Sequence, residues 1–144
     1  MRPDADLKDF VGRVVSYRDA PKYLVNVQPD IRMLVATPKV IHSETRCWMV
    51  DGQVVAAVGY RQGGKRVVRV YDPIPESIRV FAMACAGLCS PAPVSPVFVL
   101  DVAETDDGMR VIEINSFHAS GFYSTQTILP VVRAVSNYVA KNYY

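Results

Sequence analysis

The stretch VFVLDVAETDDGMRVIEIN, Val97 to Asn115, decides how this chain reads. Two apolar, β-branched runs flank Thr105-Asp106-Asp107-Gly108, the composition of a hairpin with a tight acidic turn. The pattern predicts strands over Val97–Glu104 and Met109–Asn115. Side chains alternate faces along a strand, so Val97, Val99 and Asp101 share a face, as do Glu113 and Asn115. With Asp106-Asp107-Gly108 as the loop and Gly108 left-handed, Thr105 faces Met109. Counting outward then sets Asp101 opposite Glu113. Two facing carboxylates repel, and a cation between them reverses the sign. Asn115 adds a neutral oxygen one step further along the face. Such hard oxygens suit Mg²⁺, which keeps several waters and shares substrate phosphates. Solvent-facing polar residues on an ordinary hairpin are the plain alternative. Against it, Val99, Leu100, Val111, Ile112 and Ile114 are all apolar, and a polar trio among covered residues is costly without partners.

Working outward, Ile41–Val50 and Gln53–Arg61 flank Asp51-Gly52, a strong hairpin signal. Gln62-Gly63-Gly64-Lys65 is a second turn, followed by a strand over Val67–Tyr71. Pro73 and Pro75 end that strand, and Pro75 with Glu76 suits the first turn of a helix. Ser77–Leu88 reads as that helix, with Ile78, Phe81, Ala82, Cys85 and Leu88 inward. Pro91, Pro93 and Pro96 stiffen the loop that follows. Ser124–Val139 reads as a last helix with Ile128, Val131, Val132, Val135 and Val139 on one stripe, and with a kink or later start at Leu129–Pro130. Toward the other end, Leu7, Phe10, Val11, Val14 and Val15 have helical spacing, weakened by Gly12. Residues 18–39 read as irregular apart from a short strand near Met33–Ala36. The order β-β-β-α-β-β-α predicts an α+β fold, an antiparallel β-sheet packed by helices.

The 144 residues, half of them apolar, are about one domain's worth and enough for a core. A net charge of +2, from 16 basic and 14 acidic residues, gives no reason to expect a nucleic-acid or membrane partner. Cys47, Cys85 and Cys89 form no CxxC pair and read as small buried hydrophobes in a reducing compartment. The polar start MRPDADLKD is not a signal peptide, and no apolar run is long enough to span a bilayer. These features lead us to expect a soluble, cytoplasmic protein. No GxSxG, HExxH or Walker pattern is present. His118 reads as a hydrogen-bonded loop histidine, and His42 has no evident partner.

An Asp on one strand, an acidic-glycine turn, then Glu113-Ile114-Asn115 on the next resembles the metal-binding end of ATP-grasp enzymes. The resemblance is to the clade named for two arginines and a lysine. Other segments agree in order. Arg2-Pro3-x-x-Asp6-x-Lys8-x-Phe10-x-Gly12 resembles its opening motif. Glu44-x-Arg46-x-Trp48-x-Val50-x-Gly52 resembles its second. Tyr60-Arg61 falls where a further strand approaches the site, and Ser116–Tyr123 resembles the loop after Glu-x-Asn.

This resemblance implies the C-terminal subdomain of ATP-grasp, within a single truncated domain over residues 1–144 that lacks the N-terminal part. It implies ATP and Mg²⁺ as cofactors, with Asp101, Glu113 and Asn115 as metal ligands. Arg46 and Arg61 would be catalytic, and Arg2, Lys8 and Glu44 would lie at the nucleotide. The activity implied is that of an ATP-dependent carboxylate–amine ligase, with small-molecule carboxylate and amine substrates. A second copy or a protein partner would supply the other wall of the site. The alternative is a catalytically inactive remnant, for example a phage-encoded one, that binds or inhibits another protein. Tyr138, Tyr143 and Tyr144 are candidates for its contact patch.

Overall fold

The computed structural model describes residues 1–3, 12–88 and 95–144, with the side chains of Arg2 and Pro3 left aside. The chain divides into two compact units, Met1–Lys39 and Val40–Tyr144.

In the first unit, β1 (Arg2–Pro3) pairs antiparallel with β2 (Met33–Leu34), placing Arg2 opposite Leu34. Between them lies the short helix α1 (Ala20–Leu24). The sequence reading of 18–39 as irregular missed α1; Pro21 in its first turn, with φ already helical, is what starts it. The helical spacing of Leu7, Phe10, Val11, Val14 and Val15 falls partly on residues outside those described, and the described part, residues 12–17, is not helical. Gly12 and the β-branched Val14-Val15 pair both favour an extended chain there. Ser16, Asp19 and Lys22 tie the start of α1: Lys22 Nζ donates to Asp19 Oδ1 (2.7 Å) and Ser16 Oγ to Asp19 Oδ2 (2.6 Å).

The second unit is a five-stranded antiparallel sheet in the order β5-β4-β3-β6-β7. Its strands are β3 (Ile41–Val50), β4 (Gln53–Gln62), β5 (Lys65–Val70), β6 (Val97–Thr105) and β7 (Gly108–Ser116). Asp51 and Gly52 both take positive φ (50° and 74°), the two-residue turn whose twist matches the flanking strands. Helix α2 (Glu76–Leu88) covers one face of the sheet, where Cys47, Met49, Ala57, Phe98, Leu100 and Val102 meet Ile78 and Ala82. Helix α3 (Ile128–Tyr143) covers the other, where Trp48, Ala56, Val58 and Val99 meet Val131. The antiparallel sheet packed by helices is the architecture expected from sequence.

Three details differ. Leu88, expected inward on α2, is 86% exposed, because the helix ends there beyond the edge of the core. On α3 only Val131 is buried, with Val135 partly so; Ile128, Val132 and Val139 remain exposed, so the apolar stripe is wider than the sheet surface it meets. A 3-10 turn (Thr125–Thr127) precedes α3, which begins at Ile128, just ahead of Pro130, and runs on to Tyr143. Pro130 in the first turn removes no needed donor.

Candidate active site

The β6–β7 hairpin sets Asp101 opposite Glu113, Leu100 opposite Ile114 and Val99 opposite Asn115. The route to that register differs from the sequence argument. Thr105 pairs with Gly108 rather than Met109, which alone would shift every later pair by one. A bulge at Ile112, between the Val102–Val111 and Asp101–Glu113 pairs, then restores the alignment. Gly108 takes φ +92°, the left-handed conformation the turn requires.

Strand β3 continues the rows. Arg46 lies opposite Asp101 on one side and Val58 on the other, and Trp48 opposite Val99 and Ala56. One face of the sheet therefore carries the row Val58–Arg46–Asp101–Glu113 beside the row Ala56–Trp48–Val99–Asn115. Glu44 follows on the same face, two residues before Arg46, paired in register with Arg61.

Arg46 and Asp101 are 9% and 3% exposed and form a two-pronged ion pair. Nε donates to Oδ1 at 2.9 Å and Nη2 to Oδ2 at 2.7 Å. That pairing raises the Arg46 pKa, since the cation is held by hydrogen bonds its neutral form would lose. Burying such a pair stabilises only when both partners are satisfied; removing either leaves a bare charge in a poorly solvated place. Glu44, also buried, accepts from Arg61 Nη1 at 3.3 Å, while Arg61 is about half exposed.

Over these residues folds the segment after β7. Arg46 Nη1 donates to the Gly121 carbonyl at 3.0 Å, and the guanidinium lies 4.7 Å from the centre of the Tyr123 ring. Tyr123 stacks on Tyr60 (4.7 Å, 19° between planes) and Phe122 on Trp48 (5.1 Å, 10°). Tyr60 reaches this position at a second bulge, where Thr45 pairs with Gly59 and Glu44 with Arg61, leaving Tyr60 extra. Burial pushes its phenol far above the usual range, and the carboxylates of Asp101 and Glu44 add to that. On the opposite face, burial and then Asp101 push the Cys47 thiol up to about 12.

Of the residues singled out in the sequence, Arg46, Asp101, Glu113, Asn115 and Glu44 thus come together on one face, with Arg61 bound to Glu44. Lys8 lies outside the described residues. Arg2 falls in β1, in the other unit. Gly121, Phe122, Tyr123 and Tyr60 were not assigned roles from sequence. Their signal was the segment after Glu-x-Asn and the Tyr-Arg pair, but stacking between Tyr60 and Tyr123 requires the chain to fold back. His42 does have a partner: its Nε2 lies 2.6 Å from Asp106 Oδ1 on the β6–β7 turn.

The donor chemistry fits Mg²⁺: hard carboxylate and amide oxygens from two adjacent strands share one face. The arrangement carries two further marks. Both Asp101 oxygens already accept from Arg46. Among the described residues, no three His, Cys, Asp or Glu side chains are grouped as a metal site. Two donors, Trp48 Nε1 and Asn115 Nδ2, are buried with no hydrogen-bond partner among the described residues, and they flank Val99 in one cross-strand row. Buried polar groups are ordinarily paired, so this row is where a polar ligand has most to offer.

Comparison with known proteins places the chain. A model of the ATP-grasp domain matches residues 1–135, so the chain belongs to the ATP-grasp superfamily. Within it, the matching family is R2K clade family 3. Two solved structures of the ATP-grasp ligase PsnB are similar at 16% identity and a TM-score of 0.47 each. The first, complexed with a phosphomimetic variant of minimal precursor, Mg and ADP, is matched over 68% of this chain and 32% of that one. The second, complexed with minimal precursor, is matched over 72% and 36%. This chain thus spans about a third of the length of those structures. A search of curated proteins returned no match.

Proposed function

We propose that this chain is the nucleotide- and Mg²⁺-binding part of an ATP-dependent carboxylate–amine ligase. The observation that carries the reading is the cross-strand register: Asp101 opposite Glu113, with Asn115 two residues on and Arg46 beside Asp101, in a chain of the ATP-grasp superfamily. Asp101, Glu113 and Asn115 would hold the metal, which when bound supplies charge neutralisation on the transferred phosphoryl group. Arg46 and Arg61 bring guanidinium forks suited to phosphate and to an acylphosphate intermediate. Lys8, Arg2 and Glu44 are assigned to the nucleotide on the motif resemblance alone. The protein's work in such a reaction is alignment and charge neutralisation, for which a rigid sheet face is well suited. The substrates are a small carboxylate and an amine, the other wall of the site comes from a second copy or a partner, and the setting is the cytoplasm. Among the described residues no helix is long and apolar enough to cross a membrane.

The test is a thermal melt of the full chain with and without Mg²⁺–ATP. The reading expects a Tm increase that Glu113→Ala removes. An unchanged Tm at millimolar Mg²⁺–ATP overturns it.

One observation favours a second reading, an inactive ATP-grasp remnant that binds or inhibits another protein. Both Asp101 oxygens already accept from Arg46, so a metal would have to share that carboxylate with the guanidinium. On that reading the same melt is flat, and Asp101 and Arg46 act only in holding the sheet to its covering segment.

A further inference from the structure

A guanidinium has five N–H donors. Arg46 spends two on Asp101 and one on the Gly121 carbonyl. One N–H on Nη1 and one on Nη2 remain without a partner among the described residues, although the residue is 9% exposed. Two such groups on the terminal nitrogens match the spacing of two oxygens on a phosphate or carboxylate. A fork of this kind selects its ligand only if its plane is fixed, because arginine otherwise samples many rotamers.

Asp101 fixes one edge of the plane. The face is met by Tyr123, which is not on the sheet at all. It arrives on the segment that leaves β7 at Ser116, turns through Phe117–Ala119, and returns. The Phe122–Trp48 and Tyr123–Tyr60 stacks fasten that return. The Tyr123 ring therefore touches both Tyr60 and the guanidinium, and a ring face is attractive to a cation.

We propose that Tyr123 is a positioning residue for Arg46. With the Gly121 carbonyl, it holds the guanidinium so that its two spare N–H groups form a bidentate fork for one anionic group. The identity of that anion, a nucleotide phosphate, rests on the ligase reading above; the positioning itself does not. Sequence places Tyr123 eight residues beyond Asn115 with nothing to suggest contact with Arg46.

The test uses the ¹⁵N-labelled full chain with Tyr123→Leu and Tyr123→Phe. Tyr123→Met, a flexible replacement without a ring, serves if leucine prevents folding. The first readout is solvent exchange of the Arg46 Nε–H, which reports the guanidinium's hold on Asp101 without any ligand. Loss of the ring is expected to speed that exchange by about tenfold and to weaken Mg²⁺–ATP binding by about tenfold. Phenylalanine, which keeps the ring, is expected to restore both. If the ringless variant leaves the Nε–H exchange unchanged, the positioning role is overturned. If wild-type protein binds no Mg²⁺–ATP yet the exchange responds to leucine and recovers with phenylalanine, the positioning stands and the nucleotide reading falls.

Discussion

The two faces of the five-stranded sheet use the same strands and opposite chemistry. On the α2 face, alternate residues Cys47, Met49, Leu100 and Val102 pack against Ile78 and Ala82 with no charged group among them. On the α3 face, their neighbours in sequence include Arg46, Trp48 and Asp101, with Glu44 two residues before Arg46. That face buries an ion pair and two donors unpartnered among the described residues, and half-buries a phenol pushed far up from its usual range. A buried pair seldom outperforms apolar packing, so this face carries a desolvation cost that the α2 cluster does not. The α2 face is apolar throughout that cluster, whereas the α3 face sets buried charge beside its own apolar cluster of Trp48, Ala56, Val58, Val99 and Val131.

The comparison breaks most sharply at Asp101. Asp101→Ala strands the buried Arg46 cation and is expected to cost about 3–5 kcal/mol in urea denaturation. On the opposite face, Leu100→Ala is expected to cost about 2–5 kcal/mol through cavity formation. The Leu100 variant should bind Mg²⁺–ATP as wild type does once folded, whereas the Asp101 variant should not.

Alkaline titration separates the faces less strongly. Cys47 has its folded pKa raised from 9.0 to about 12, and that of Tyr60 is raised from 10.0. For a raised pKa the folded state holds its proton more tightly, so the contribution is fully present below the unfolded value and is lost progressively as pH rises from there through the folded value. Stability should therefore fall from about pH 9 upward, first through Cys47 on the α2 face. A further fall begins near pH 10 through Tyr60 on the other face. Cys47→Ala should remove the earlier part of the decline and Tyr60→Phe the later part, both read as denaturation midpoints against pH. The smallest effect belongs to Arg61→Ala. Its bond to the buried Glu44 is long and Arg61 itself is about half exposed, so water can take its place and its loss should cost only about 1 kcal/mol.

The sheet was legible because its signals are local. Asp51-Gly52 and Gly63-Gly64 marked two turns, and Pro75 and Glu76 marked the start of α2. The opposition of Asp101 and Glu113 was also legible, though through a turn one residue shorter than expected and a bulge at Ile112 that compensates. A bulge has no composition signal as clear as a glycine turn, so counting alone does not reveal it. What could not be read was tertiary. Nothing in Ser116–Tyr123 announces that it folds back over Arg46. Nothing in the stripe on α3 says that only Val131 is fully covered. The ion pair between Arg46 and Asp101, 55 residues apart, is visible only once β3 and β6 are neighbours.

That ion pair makes the central claim directly measurable. In a calorimetric titration of the folded wild-type chain, Mg²⁺–ATP should give a saturable heat that depends on Mg²⁺, and Glu113→Ala should abolish it while leaving the protein folded. A flat titration at high protein concentration, with the sheet shown intact by circular dichroism, would contradict the account and leave Arg46–Asp101 as a structural pair.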